Sequence, residues 1–87
     1  MAYILAVTGA ITTATRLSKE IEKNGCINAR VIHTPSALSS GGCSYAVKVP
    51  DSCLTKMLTS ASDMRIKIRK LYRERLENGE KVYDDIS

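Results

Sequence analysis

The 87-residue sequence carries 13 basic and 9 acidic residues, for a formal net charge of +4, and contains neither Trp nor Phe. A chain of this length folds as one small domain, so we expect a single domain over residues 1–87 with an aliphatic core. The apolar N-terminal run is too short to span a membrane. It lacks a basic leader, and with an odd number of cysteines this predicts a reducing, cytoplasmic setting.

Apolar spacing predicts the first three elements. Residues 3–8 form a short apolar run, which indicates a buried strand. The helix that follows has Thr12 or Thr13 as its predicted cap and ends at Asn24-Gly25. A second strand over 26–33 is stopped by a proline. The apolar face of the helix consists of Ile11, Ala14, Leu17 and Ile21.

The second half of the chain repeats this pattern. Residues 45–49 predict a third strand, and Asp51 or Ser52 begins a second helix. Residues 64–69 alternate apolar and basic side chains, which predicts a half-buried strand with a basic outer face. Asn78-Gly79 is a strong hairpin signal in the tail over 70–87, although a continued helix over 73–76 is an alternative. The second helix has the apolar stripe Leu54, Met57, Leu58 and Ala61.

This order of elements predicts an α+β fold. We expect a ferredoxin-like βαββαβ sandwich, with two helices on one face of an antiparallel sheet. Residues 70–87 would then add a C-terminal hairpin to that sandwich.

The chemistry is predicted to lie in the Ser- and Gly-rich loop between His33 and Tyr45, which contains Cys43 directly before a strand. Successive glycines allow close approach of a ligand, and their N–H groups can stabilise an anion such as a thiolate, the reactive form of cysteine. Cys43 is therefore the candidate reactive residue, although it could instead pack as a small hydrophobe. The candidate substrate-binding residues are Ser39, Ser40, Gly41, Gly42 and Ser44.

Two other residues are candidates for accessory roles. His33 could act as a base or charge partner to Cys43 if it folds over the loop. Cys53 falls in the predicted first turn of a helix, where the helix dipole lowers a thiol pKa. Cys26 has a structural interpretation. One histidine and no CxxC pair give no zinc site, and we predict no cofactor.

The basic residues of the predicted fourth strand, Arg65, Lys67 and Arg69, allow two interpretations. They either form a solvated face that discourages edge pairing or dock an acidic partner or RNA. A sheet that reads RNA needs stacking aromatic residues on its central strands, and only Tyr3 and Tyr45 are available there. No nucleic-acid-binding motif accompanies the charge, so nucleic acid is not a favoured partner.

The central stretch resembles the signature of the small bacterial family called Putative Se/S carrier protein-like, a domain of unknown function. The resemblance lies in residues 34–39, a short Gly/Ser bridge, Cys43 and the strand over 45–49. It extends over residues 3–69 and implies that Cys43 carries sulfur or selenium as a persulfide or selenide adduct. Ser44 stands where the family commonly has Gly, and the loop is one residue longer, which bears on the geometry of the adduct.

The resemblance favours a small cytoplasmic carrier of sulfur or selenium that has no cofactor and is a transfer partner more than a turnover enzyme. Its partners would be a donor such as a desulfurase and an acceptor protein. The alternative is a ferredoxin-like regulatory or interaction module, homodimeric through its sheet edge or tail hairpin, in which the cysteines have no chemistry. A weaker alternative is RNA binding through the basic strand, with an affinity that falls steeply with salt.

Overall fold

A computed structural model describes residues 2–36, 38 and 44–87 of the chain. The described strands form one five-stranded antiparallel sheet in the order β2-β3-β1-β4-β5, and two α-helices accompany it. The predicted α+β class is therefore confirmed, with five strands in the sheet where a βαββαβ sandwich has four. In chain order the elements are β1 (Tyr3–Val7), α1 (Ile11–Lys23), β2 (Arg30–His33), β3 (Tyr45–Pro50), a 3₁₀ turn (Asp51–Cys53), α2 (Leu54–Asp63), β4 (Lys70–Glu77) and β5 (Glu80–Asp85).

The main core lies between the sheet and the two helices. Alternate residues of a strand point to opposite faces, so Ile4 and Ala6 of β1 face the helices together with Val47 and Val49 of β3. The predicted helical faces are buried there, except that Ile11 is 51% exposed and Leu58 is 44% exposed. The helix residues in this core are Ala14, Leu17, Ile21, Met57 and Ala61.

The opposite face of the sheet carries no helix among the described elements. Leu5, Val7 and Ala46 are nevertheless buried on it, because larger side chains cover them. These covering residues are Tyr3, Ile32, Leu38, Tyr72 and Tyr83. We call this surface the helix-free face.

Helix α1 begins two or three residues earlier than the sequence predicts. Ala10 occupies the N-cap position with extended backbone angles, and no side chain caps the helix, so Thr12 and Thr13 lie inside the first turn. The predicted end is confirmed: Asn24 is the C-cap residue, and Gly25 follows with φ of +106°, which glycine adopts without steric cost.

The strand predicted over residues 64–69 is wrong. Helix α2 continues to Asp63, and the Ile66 N–H donates to the Ala61 carbonyl over 2.8 Å, which closes the end of the helix. Ile66 and Ile68 do pack against the main core. The alternation therefore reflects a connection that crosses the edge of the core, because alternate burial does not by itself require strand pairing.

The predicted C-terminal hairpin is confirmed, since β4 and β5 form it and the alternative helix over 73–76 is absent. Asn78 and Gly79 both have positive φ, 54° and 81°, as the tightest hairpin turns require. Strands β4 and β5 then pair from Tyr72 with Asp85 to Glu77 with Glu80. None of the described helices combines the length and apolar character needed to cross a bilayer.

Candidate functional site

One end of the sheet holds both ends of the loop that contains Cys43. The Thr34 N–H donates to the Ser44 carbonyl over 3.0 Å, just beyond the last pair of β2 and β3. The Thr8 N–H donates to the Tyr45 carbonyl over 3.0 Å, and the Tyr45 N–H donates to the Gly9 carbonyl over 3.3 Å. The loop therefore connects β2 and β3 as a β-hairpin. The residues after β1 hydrogen-bond to Tyr45, where the chain enters β3.

Most of the predicted site lies outside the described residues. The candidate reactive residue Cys43 lies outside the described residues. So do the substrate-binding candidates Ser39, Ser40, Gly41 and Gly42. Ser44, the last substrate-binding candidate, is described and half-buried directly before β3. The structure thus describes the frame of the Cys43 loop, by which we mean the end of β2 with Thr34 and the start of β3 with Ser44.

Leu38 attaches the described part of this loop to the sheet. Its N–H donates to the Pro35 carbonyl over 2.9 Å, and its side chain packs against the buried residues of the helix-free face. An apolar anchor of this kind fixes where a polar loop leaves the sheet, because exposing Leu38 would cost apolar burial.

His33, a candidate accessory residue, lies at the same end of the sheet. It pairs with Tyr45 in the register of β2 and β3, and the two ring centroids are 4.6 Å apart. The imidazole is exposed and only two positions along the chain from Pro35, where the loop departs. His33 and Ser44 therefore lie at the same end of the sheet, and the predicted contact of His33 with Cys43 falls outside the described residues.

Cys53, the other accessory candidate, lies elsewhere. It follows the C-terminal end of β3, whereas Ser44 precedes the start of that strand, and six strand residues span about 17–20 Å. Its Sγ is bonded to that of Cys26 in a disulfide, with Cα atoms 6.2 Å apart. In this state Cys53 has no free thiol to offer.

The pairing of Cys26 with Cys53 is a feature that the sequence analysis missed. Cys26 follows Gly25 at the end of α1, and Cys53 ends the 3₁₀ turn before α2. The only signal available was that both cysteines flank helices that pack on the same face of the sheet. With these two bonded to each other, Cys43 is the remaining cysteine of the three in the sequence.

The helix-free face carries a charged cluster beside its tyrosines. Lys48 Nζ lies 3.1 Å from Glu74 Oε1 and 4.5 Å from the centroid of the Tyr3 ring. Burial and the neighbouring Glu74 carboxylate raise the pKa of Tyr83 above its ordinary value. A cavity of about 260 Å³ opens beside Lys48 and is also lined by Tyr3, Asn28, Arg30 and Pro50.

A second concavity involves the basic residues of the connection from α2 to β4. Arg65, Lys67 and Arg69 do not line a strand; they line a groove together with Arg16 of α1. Arg16 lies 49 positions or more before these three residues in the sequence, so pattern alone did not associate them. Across the described ranges, no three His, Cys, Asp or Glu side chains are grouped so that they could hold a metal ion.

Comparison with known proteins gives one match. The family model described as Putative Se/S carrier protein-like matches residues 3–73, which is most of the chain and includes both ends of the Cys43 loop. Comparison with curated proteins and with solved structures gives no match.

Proposed function

Because the chain belongs to the Putative Se/S carrier protein-like family, we propose that it carries sulfur or selenium on the thiol of Cys43. The observation that carries this proposal is the family match over residues 3–73, which contains Cys43. The disulfide adds support, since it occupies the other two cysteines and leaves Cys43 for chemistry.

The transfer step needs no external oxidant. The Cys43 thiolate attacks the outer sulfur of a donor persulfide, R–S–SH. A new S–S bond forms at Cys43 while the donor S–S bond breaks, and the donor leaves as R–S⁻. The product is Cys43–S–SH, and with R–S–SeH as donor it is Cys43–S–SeH. The outer atom then passes to an acceptor thiolate by the same exchange.

The proposal gives the loop residues a role in this step. The N–H groups of Gly41, Gly42 and Ser44 would stabilise the thiolate or the persulfide anion, with Ser39 and Ser40 as further hydrogen-bond donors. His33 would contribute as a base or charge partner, a role supported by its position at the end of β2 next to Tyr45.

A carrier of this type works with protein partners, because its cargo is reached by another active site. We propose a persulfide-forming donor and an acceptor protein as these partners, and the disulfide between Cys26 and Cys53 does not match the reducing setting that the sequence predicts. We also infer a ferredoxin-like βαββαβ unit formed by β1 to β4 and the two helices, with β5 as an added edge strand. The strand order supports this assignment of the fold.

Mass spectrometry with peptide mapping tests the carrier function. The protein is isolated without reductant and incubated with a small-molecule persulfide, after which unreacted thiols and persulfides are alkylated. We expect a mass increase of one sulfur on the peptide that contains Cys43, and its loss in Cys43→Ser.

The Cys26→Ala/Cys53→Ala variant is the matched control, since it removes two cysteines and keeps the proposed carrier. It should load sulfur as the wild type does. Alkylation over a range of pH adds a second measurement, because a thiolate stabilised by the loop reacts at lower pH than an ordinary cysteine. If Cys43 stays unmodified, the carrier function is wrong and an interaction module without thiol chemistry is the better explanation.

A further inference from the structure

A cationic groove of about 390 Å³ lies between the first turns of α1 and the connection from α2 to β4. Arg16 lines one side, and Arg65, Lys67 and Arg69 line the other. The hydroxyl-bearing residues Thr8 and Thr13 also line it, together with Met64 and Ile66. Four positive side chains therefore converge from two separate segments on one concave surface.

The positive charge of this groove is not neutralised within the described part of the chain. The ion pairs there join Lys48, Lys70, Arg73 and Arg75 to their carboxylates, and the four cations of the groove take part in none of them. The first turn of α1, to which Thr13 belongs, also contains no acidic residue. Like charges kept close together without counter-charges repel each other, and a bound anion would relieve that repulsion.

The position of Arg69 is set by the backbone of the turn after β1. A Cβ atom built on Gly9 would lie 2.9 Å from Arg69 Cζ, so the guanidinium lies directly against this glycine. Gly9 has a φ of +90°, which other residues rarely adopt. The Arg69 N–H donates to the Val7 carbonyl over 2.8 Å, which ties its backbone to β1 as well.

We propose that this groove binds the phosphate group of a small molecule. Guanidinium groups donate several hydrogen bonds in a fixed geometry that matches phosphate oxygens, and lysine adds a point charge. The concave shape with cations on two sides suits one compact anion. A nucleic acid would in addition need exposed stacking surfaces. Tyr3, Tyr72 and Tyr83 pack on the opposite, helix-free face, and Tyr45 packs against the main core and the ring of His33.

The groove is adjacent to the frame of the Cys43 loop but does not depend on Cys43. Thr8 at the groove donates its N–H to the carbonyl of Tyr45, two residues after Cys43 in the sequence. This inference therefore goes beyond the carrier function. Phosphate binding is expected to persist in Cys43→Ser, so the two proposals can fail separately.

Titration of ¹⁵N-labelled protein with inorganic phosphate tests the site by NMR, at constant ionic strength maintained with chloride. We expect saturable shifts of the amides of Thr8, Gly9 and Thr13 and of residues 65–69. Arg16→Gln/Arg69→Gln should weaken phosphate binding by about tenfold or more, since each of the two substitutions removes a charge-assisted hydrogen bond to the phosphate. Arg16→Gln alone changes only an exposed helix residue and should weaken binding while the spectrum stays that of the folded wild type.

Lys23→Gln/Lys81→Gln is the matched control, because it also removes two positive charges, but from exposed positions outside the groove. Its affinity should stay within about twofold of the wild type, as distant surface charges are screened. An equal loss in this control would show that only net charge matters and would overturn the site. Shifts that fail to saturate with phosphate, or that appear only with single-stranded RNA, would overturn it too.

Discussion

At the scale of single residues, the helix-free face contains a largely buried ion pair between Lys48 and Glu74. The pair spans β1, since Lys48 lies opposite Leu5 and Glu74 lies opposite Tyr3 on the other side. Their side chains are only 19% and 7% exposed. Removing one partner would leave the other charge buried without its counter-charge, which destabilises more than replacing both partners together.

We therefore predict that Lys48→Met lowers the free energy of unfolding by about 3 kcal/mol. Lys48→Met/Glu74→Gln should recover part of this loss, because it no longer leaves a carboxylate unpaired. Urea unfolding followed by circular dichroism measures both. Lys81→Met, an exposed lysine on β5, is the control and should change stability by at most about 0.5 kcal/mol. An equal effect of Lys48→Met and Lys81→Met would contradict the prediction.

At the scale of elements, the C-terminal hairpin is held at its open end by Asp85. The Ser87 N–H donates to Asp85 Oδ1 over 2.9 Å, and Lys70 Nζ lies 3.2 Å from Oδ2. Hydrogen bonds from the Ser87 backbone and hydroxyl, followed by the Lys70 ammonium, lower the pKa of Asp85 below its ordinary value of 3.8. The carboxylate form is therefore favoured by folding.

A lowered pKa in the folded state stabilises the protein above the unfolded pKa, and this contribution is lost as the pH falls through the folded value. We predict that Asp85→Asn lowers stability by a constant amount near neutral pH. The difference from the wild type should shrink as the pH falls below about 4. Urea unfolding over a series of pH values tests this.

Lys70→Met is the matched variant for this element. It keeps both Ser87 hydrogen bonds, which are the larger cause of the shift, so it should alter the pH dependence less than Asp85→Asn does. A difference between wild type and Asp85→Asn that is independent of pH would show that Asp85 does not stabilise the hairpin through its charge.

At the scale of the whole molecule, what could be predicted from sequence was local. Gly25 and Asn78-Gly79 mark left-handed backbone positions, and the residues themselves favour that conformation. The alternation of apolar and basic side chains over 64–69 predicted a strand that does not form. The same alternation arises in a connection that packs one side against the core, as Ile66 and Ile68 do. The disulfide and the groove could not be predicted, since each joins residues far apart in the chain that only the packing of α1 against the sheet brings together.

The bond between Cys26 and Cys53 links the end of α1 to the turn before α2 and spans 27 positions of the chain. A crosslink of this length restricts the unfolded chain and should add about 3 kcal/mol to the stability of the whole molecule.

Dithiothreitol should therefore lower the unfolding free energy of the wild type by about that amount. The same loss is expected in Cys26→Ala/Cys53→Ala, which should no longer respond to the reductant. Cys43→Ser should keep the full response, because the disulfide joins Cys26 and Cys53. Unchanged wild-type stability in dithiothreitol would show that the two helices are held by packing alone. A loss of the response in Cys43→Ser would instead place Cys43 in the crosslink and remove the basis for giving it the carrier role.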